Sequence, residues 1–120
     1  MSDENQRIHV SNEGDVTVVE LADRKILDEI NIMQIGEQLS QLVASTDVPK
    51  LVLDFANVEH MSSSALGVLI TLHKRIREKS GMLGLCCIQP TIQEIFEITR
   101  LSEIFNIQAD RAAAVGAIQA

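Results

Sequence analysis

The stretch Leu51-Val52-Leu53-Asp54-Phe55-Ala56-Asn57-Val58-Glu59-His60-Met61-Ser62-Ser63-Ser64-Ala65-Leu66-Gly67-Val68-Leu69-Ile70-Thr71-Leu72-His73-Lys74-Arg75-Ile76 decides how the rest of the chain is read. Its first part, from Lys50 to Phe55, is a short and nearly continuous apolar run. Such a run fits a central strand covered on both faces, as parallel sheets require. Beyond Met61 the apolar positions Leu66, Leu69, Ile70, Leu72 and Ile76 recur at helical spacing. The tail Lys74-Arg75-Arg77-Glu78-Lys79 then places cations at the negative end of the helix dipole, and Ser80-Gly81 stops the helix. Strand and helix meet at three consecutive hydroxyls, Ser62, Ser63 and Ser64.

Upstream, Arg7-Ile8-His9-Val10-Ser11 alternates and reads as a strand, whereas Met1 to Gln6 is polar and frayed. The turn formers Asn12-Glu13-Gly14-Asp15 lead into the β-branched run Val16-Thr17-Val18-Val19-Glu20-Leu21, so a hairpin is expected. Ala22 to Asp28 reads as a polar connection. Ile32, Ile35, Gly36, Leu39, Leu42 and Val43 then give a helix with one apolar face, capped by Asp28 or Asn31 and closed before Pro49.

Downstream, Met82 to Ile88 reads as a buried strand ended by Gln89-Pro90. Thr91-Ile92-Gln93-Glu94 fits a capping box for a short helix with Ile92, Ile95 and Phe96 inward. Phe105-Asn106-Ile107 is a last brief strand, and Asp110 caps an alanine-rich helix from Arg111 to Ile118. The order β-β-α-β-α-β-α-β-α predicts an α/β fold: a mixed four- to five-stranded sheet with about four helices and right-handed parallel crossovers.

With 120 residues and 46% apolar content, the chain has room for one domain, placed at 7–120. Ten basic residues against 17 acidic ones give a formal charge of -7, and nothing basic clusters to follow a phosphate backbone. Nucleic acid and bare membrane are poor partners for such a surface. Aromatic residues make up 2%, too few for a base-stacking platform. No run is long and apolar enough to span or insert into a bilayer, and no signal peptide is visible. Cys86 and Cys87 are adjacent, and strand alternation would send them to opposite faces, which removes a disulfide framework and fits a reducing cytoplasm.

Chemistry finds no carrier elsewhere. His9, His60 and His73 lack a second ligand at metal spacing, so no metal or other cofactor is expected. The phosphate-cradling glycine motifs and Gly-x-Ser-x-Gly are absent, and the cysteines lie in an apolar strand as poor nucleophiles. Asp54 and Glu59 read as solvated or capping groups rather than catalytic ones, so the chain does not read as an enzyme. The triple serine has two readings. A serine is a favoured N-cap, which is the commoner role, but a cap needs only one. Hydroxyls in a first helical turn also lie beside free amides and a positive dipole end that would accept a phosphate.

At these residues the chain resembles the STAS family, the anti-sigma factor antagonist domains, over nearly its full length. Family members carry a strand of the type V-x-L-D-[FL], a short loop, and D-S-S-G-[LI]-G-V-L. Here the corresponding text is Leu51 to Phe55 and then Ser62-Ser63-Ser64-Ala65-Leu66-Gly67-Val68-Leu69. Leu21 to Asp28 and Ile98 to Ile107 are similar to flanking family segments. Ser62 stands where aspartate is frequent and Ala65 where glycine is frequent.

The resemblance implies a single STAS-like domain that binds an anti-sigma factor serine kinase and is switched off by phosphorylation at Ser63, with Ser64 and then Ser62 next in line. It also implies a partner-binding surface of Asp28, Asn57, His60, Met61, Ser62, Ser64, Ala65 and Leu66, and a weak homodimer is compatible with it. A scaffold or transport-accessory module that is never phosphorylated is the alternative.

Overall fold

The computed structural model describes residues 8–119. Met1 to Gln6 and the first residue of the expected strand, Arg7, lie outside them. A hairpin opens the fold: β1 (Ile8–Glu13) pairs antiparallel with β2 (Val16–Leu21). The strands run closer to the turn than the sequence suggests, leaving only Gly14 and Asp15 between them. Gly14 takes φ +66°, the left-handed conformation that such tight turns demand and that glycine adopts without steric cost.

After this hairpin the chain repeats strand and helix: β3 (Lys25–Ile26), α1 (Glu29–Ala44), β4 (Lys50–Asp54), β5 (His60–Met61), α2 (Ser63–Glu78), β6 (Met82–Cys86), α3 (Pro90–Ile98), a 3-10 turn (Leu101–Glu103), β7 (Asn106–Gln108) and α4 (Arg111–Ile118). The main sheet has the order β1-β2-β4-β6-β7, parallel everywhere except at β1. This is the expected mixed α/β architecture with four helices.

Alternation along the strands divides the core. Val19, Leu21, Leu51, Leu53, Leu83 and Leu85 face the cluster that receives α1, α2 and α3. Val16, Val18, Val52 and Cys86 face α4 through Ala114, Val115 and Ile118. A strand buried on both faces needs an apolar residue at nearly every position, which is why Leu51 to Leu53 carries no polar interruption. Three phenylalanines brace the first cluster edge to face: Phe55 against Phe96 and Phe96 against Phe105.

Several local expectations are corrected. Ala22 to Asp28 is not merely a connection, because it contains β3, which pairs parallel with β5 in a separate two-stranded ladder. Two-residue strands carry no periodicity to read. The capping box at Thr91 is absent: α3 starts at Pro90 with Gln89 before it and no side-chain cap. Proline at the first helical position presets φ, and its missing N–H is one that a helix start leaves unpaired anyway, so the helix begins at Pro90 and Thr91 falls inside the turn. Strand β6 stops at Cys86 because Cys87 turns to φ +61°, and the last strand lies at Asn106–Gln108, one residue later than expected. Ile70 is 44% exposed and lies off the inward stripe, which instead takes Ala65.

Candidate functional site

The serine junction is positioned by the short ladder. The Arg24 carbonyl accepts hydrogen bonds from the amides of Glu59 (2.8 Å) and His60 (3.1 Å), and the Ile26 carbonyl accepts one from Ser62 N–H at 3.0 Å. The segment leading into α1 is thereby fastened to the segment leading into α2. The two helix N-termini come to lie side by side. An exposed ion pair, Arg24 with Glu59 at 3.2 Å, crosses the same ladder, and the Gln89 side chain donates to the Ala56 carbonyl at 3.0 Å from the α3 side.

Each helix start has its own cap. The Asp28 carboxylate accepts from the amides of Ile30 and Asn31, at 2.8 and 3.3 Å, which selects Asp28 over Asn31 as the cap of α1. Ser62 caps α2, its Oγ accepting from the Ala65 amide at 3.4 Å. Serine thus performs here the capping task for which aspartate is equally suited. Ser63 and Ser64 occupy the first two helical positions and both are exposed. The Ser64 hydroxyl donates to Glu29 Oε2 at 3.0 Å, across the gap between the helices. Among the described residues the Ser63 hydroxyl has no hydrogen-bond partner.

The other residues expected around the site divide by depth. Asp28, Asn57 and His60 are exposed on the rim and Ser62 is half-buried. Met61, Ala65 and Leu66 are buried in the main core and hold the loop from beneath, so the Ala65 methyl packs inward rather than crowding the hydroxyls. Sequence reasoning missed what surrounds them. Leu27, just before the cap of α1, and Ile30 and Met33 in its first turns are 50%, 66% and 63% exposed. An open groove between α1 and α2 is lined by Met33 from this set together with Glu29, Ser64 and Val68. The apolar spacing at 27, 30 and 33 was visible in the sequence but was overshadowed by the inward stripe. The partnership of Glu29 with Ser64, 35 residues apart, left no local signal.

Asp54 is not solvated, contrary to the sequence reading. It is 4% exposed at the end of β4, where its Oδ2 accepts from Arg111 at 2.7 Å and its Oδ1 from the Ala56 amide at 2.8 Å. That ion pair fastens the loop after β4 to the start of α4. The expectation that Cys86 and Cys87 point apart also fails, because the left-handed turn at Cys87 brings the sulfurs to 3.5 Å.

Asp54, Cys86 and Cys87 form a group of three ligand-type side chains within 4.8 Å. The chemistry of the set is unfavourable to a cation. Arg111 already neutralises the carboxylate, and burial pushes both thiols upward from their usual range and holds them protonated. The trio packs; it offers no thiolate.

Comparison with known proteins follows the same lines. Residues 7–114 match the family model of the STAS domain. BtrV of Bordetella bronchiseptica, named as a candidate anti-sigma factor antagonist, is 34% identical over 87 residues, covering 70% of this chain and 75% of that protein. The anti-sigma F factor antagonist of Paenibacillus polymyxa is 25% identical over 103 residues, covering 86% of each. Among solved structures, a STAS domain protein from Planctomyces limnophilus superposes with a TM-score of 0.85 at 26% identity, covering 94% of this chain and 98% of that one. None of the helices among the described residues is long and apolar enough to cross a membrane. Fold and sequence agree, and the chain belongs to the STAS domain family.

Proposed function

We propose that this chain is an anti-sigma factor antagonist, acting in the cytoplasm, that binds an anti-sigma serine kinase while Ser63 is unmodified and is released when Ser63 carries a phosphate. The observation that carries this reading is the exposed Ser63 hydroxyl at the first position of α2, without a hydrogen-bond partner among the described residues, on a helix start that the β3–β5 ladder and the Ser64–Glu29 bond set against the start of α1, where Leu27, Ile30 and Met33 are exposed. An apolar patch next to a modifiable hydroxyl gives a partner something to bury and gives a phosphate something to disrupt. In the bound state a dianion at Ser63 would lie against the partner's surface without a matching cation, a cost of several kcal/mol. The names of the two sequence relatives support the same reading.

The test is incubation with an anti-sigma serine kinase and ATP, followed by mass spectrometry and pull-down. Phosphate on Ser63, its loss in Ser63→Ala, and retention of kinase by wild type but not by Ser63→Asp are expected. Full phosphate uptake by Ser63→Ala, or equal kinase retention by wild type and Ser63→Asp, would overturn the reading; the second outcome would favour a scaffold role.

A further inference from the structure

The three serines differ in what already holds them. The Ser62 oxygen accepts from the Ala65 amide and its own N–H is bound to Ile26, so moving it undoes both the cap and the ladder. The Ser64 hydroxyl proton is held by the Glu29 carboxylate at 3.0 Å. Ser63 is exposed and, among the described residues, unengaged.

Phosphoryl transfer makes definite demands on an acceptor. The serine oxygen forms a bond to the γ-phosphorus of ATP while the bond from that phosphorus to the β-γ bridging oxygen breaks. ADP leaves, and the serine proton passes to a base on the kinase. The hydroxyl must therefore be free to aim its lone pair in line and its proton at that base. A hydroxyl whose proton is held by a carboxylate starts from the wrong orientation, and its bond is of the stronger, charge-assisted kind. The product would also be unfavourable at Ser64, because about -1.5 to -2 charges would be placed in contact with the Glu29 carboxylate.

We infer that Glu29 selects the phosphoacceptor: by holding the Ser64 hydroxyl it removes the neighbouring serine from competition and leaves Ser63 to the kinase. The inference rests on the reading of the serine junction as a phosphoacceptor site. Glu29 is a positioning residue in this scheme, acting through Ser64 and touching no reacting atom. The bond is present because the β3–β5 ladder sets the two helix starts side by side, and Glu29, in the first turn of α1, faces the first turn of α2.

The experiment compares wild type, Glu29→Gln, Glu29→Asp, Ser63→Ala and the double variant Ser63→Ala/Glu29→Gln with the same kinase and ATP, locating phosphate by fragmentation mass spectrometry. Wild type is expected to carry phosphate on Ser63. Glu29→Gln should raise the Ser64 share roughly tenfold, since the amide is a weaker acceptor without charge. Glu29→Asp should restore at least part of the wild-type preference, which a purely structural role for Glu29 would not predict. Ser63→Ala should take up little phosphate while Glu29 is present and regain uptake at Ser64 when Glu29→Gln is added.

An unchanged ratio of Ser63 to Ser64 phosphate in Glu29→Gln overturns the selector. So does phosphate on Ser64 in wild type that disappears in Glu29→Gln, which would make Glu29 an activating base. No phosphate on any of the three serines in wild type overturns the underlying phosphoacceptor reading instead, so the two failures are distinct.

Discussion

At the scale of single residues, two buried or half-buried polar groups make predictions of opposite kinds. Asp54 lies inside the fold with Arg111 and one backbone amide facing its carboxylate. Removing Arg111 leaves that carboxylate uncompensated, so Arg111→Met should cost about 3 kcal/mol of unfolding free energy in urea titrations. Replacing both partners, Asp54→Leu with Arg111→Met, should recover most of the loss, because no buried charge then remains.

His73 behaves differently. Its ring packs edge to face on Phe105 with centroids 5.2 Å apart, and its Nδ1 is buried without a hydrogen-bond partner among the described residues. Burial first, and the Arg77 cation second, hold its pKa below the ordinary 6.5. Because the unfolded chain takes up the proton at higher pH, this group's contribution is intact above that value and falls as pH drops toward the folded one. His73→Leu should therefore lose less melting temperature than wild type between about pH 7 and about pH 5. Equal losses in the two proteins would show that His73 does not carry this part of the acid sensitivity.

At the scale of elements, the structure places a link that no local pattern contains. Lys79 follows α2, where the sequence assigns it to the dipole of its own helix. Its Nζ instead donates to the carbonyls of Val43 (2.7 Å), Ala44 (3.3 Å) and Thr46 (2.6 Å) at the end of α1. One ammonium thus satisfies carbonyls that a helix end leaves open and ties two helices whose starts are already fastened by the β3–β5 ladder. Lys79→Met keeps the aliphatic stem and removes the charge, and it should cost about 1.5 to 3 kcal/mol, as for hydrogen bonds to charged groups. Asp28→Ala, which removes only a cap, should cost about 1 kcal/mol in the same thermal or urea unfolding measurement.

These examples also mark what could be read in advance. Helices α1, α2 and α4 and strands β2 and β4 followed from periodicity, caps and apolar runs, because those signals are local. The serine junction was legible for the same reason. The β3–β5 ladder, the Lys79 link, the Asp54–Arg111 pair and the Glu29–Ser64 bond were not, because each joins residues 33 to 57 positions apart whose own neighbourhoods look like ordinary polar surface. The sheet order itself came only with the fold.

At the scale of the whole molecule, the proposed switch sits on a platform that has no reason to move. Beneath the serines, Met61, Ala65 and Leu66 are packed into the core, and the loop is held from three sides by the Arg24 and Ile26 carbonyls, the Gln89 side chain and the Asp54–Arg111 pair. A negative charge at Ser63 enters at the positive end of α2, which favours it by roughly 0.3–1 kcal/mol. Asp28 and Glu29 stand nearby at the start of α1 and oppose it, so the net change in stability should be small. Ser63→Asp is therefore expected to melt within a few degrees of wild type, since about 1 kcal/mol moves a domain of this size by roughly 4 °C. Hydrogen exchange in the sheet should be unchanged, with altered protection confined to the two helix starts. Release of the kinase would then come from the charge at the interface and not from a rearranged fold. A drop in melting temperature large enough to signal unfolding, or loss of exchange protection in β4 and β6, would contradict this and place the switch in the core.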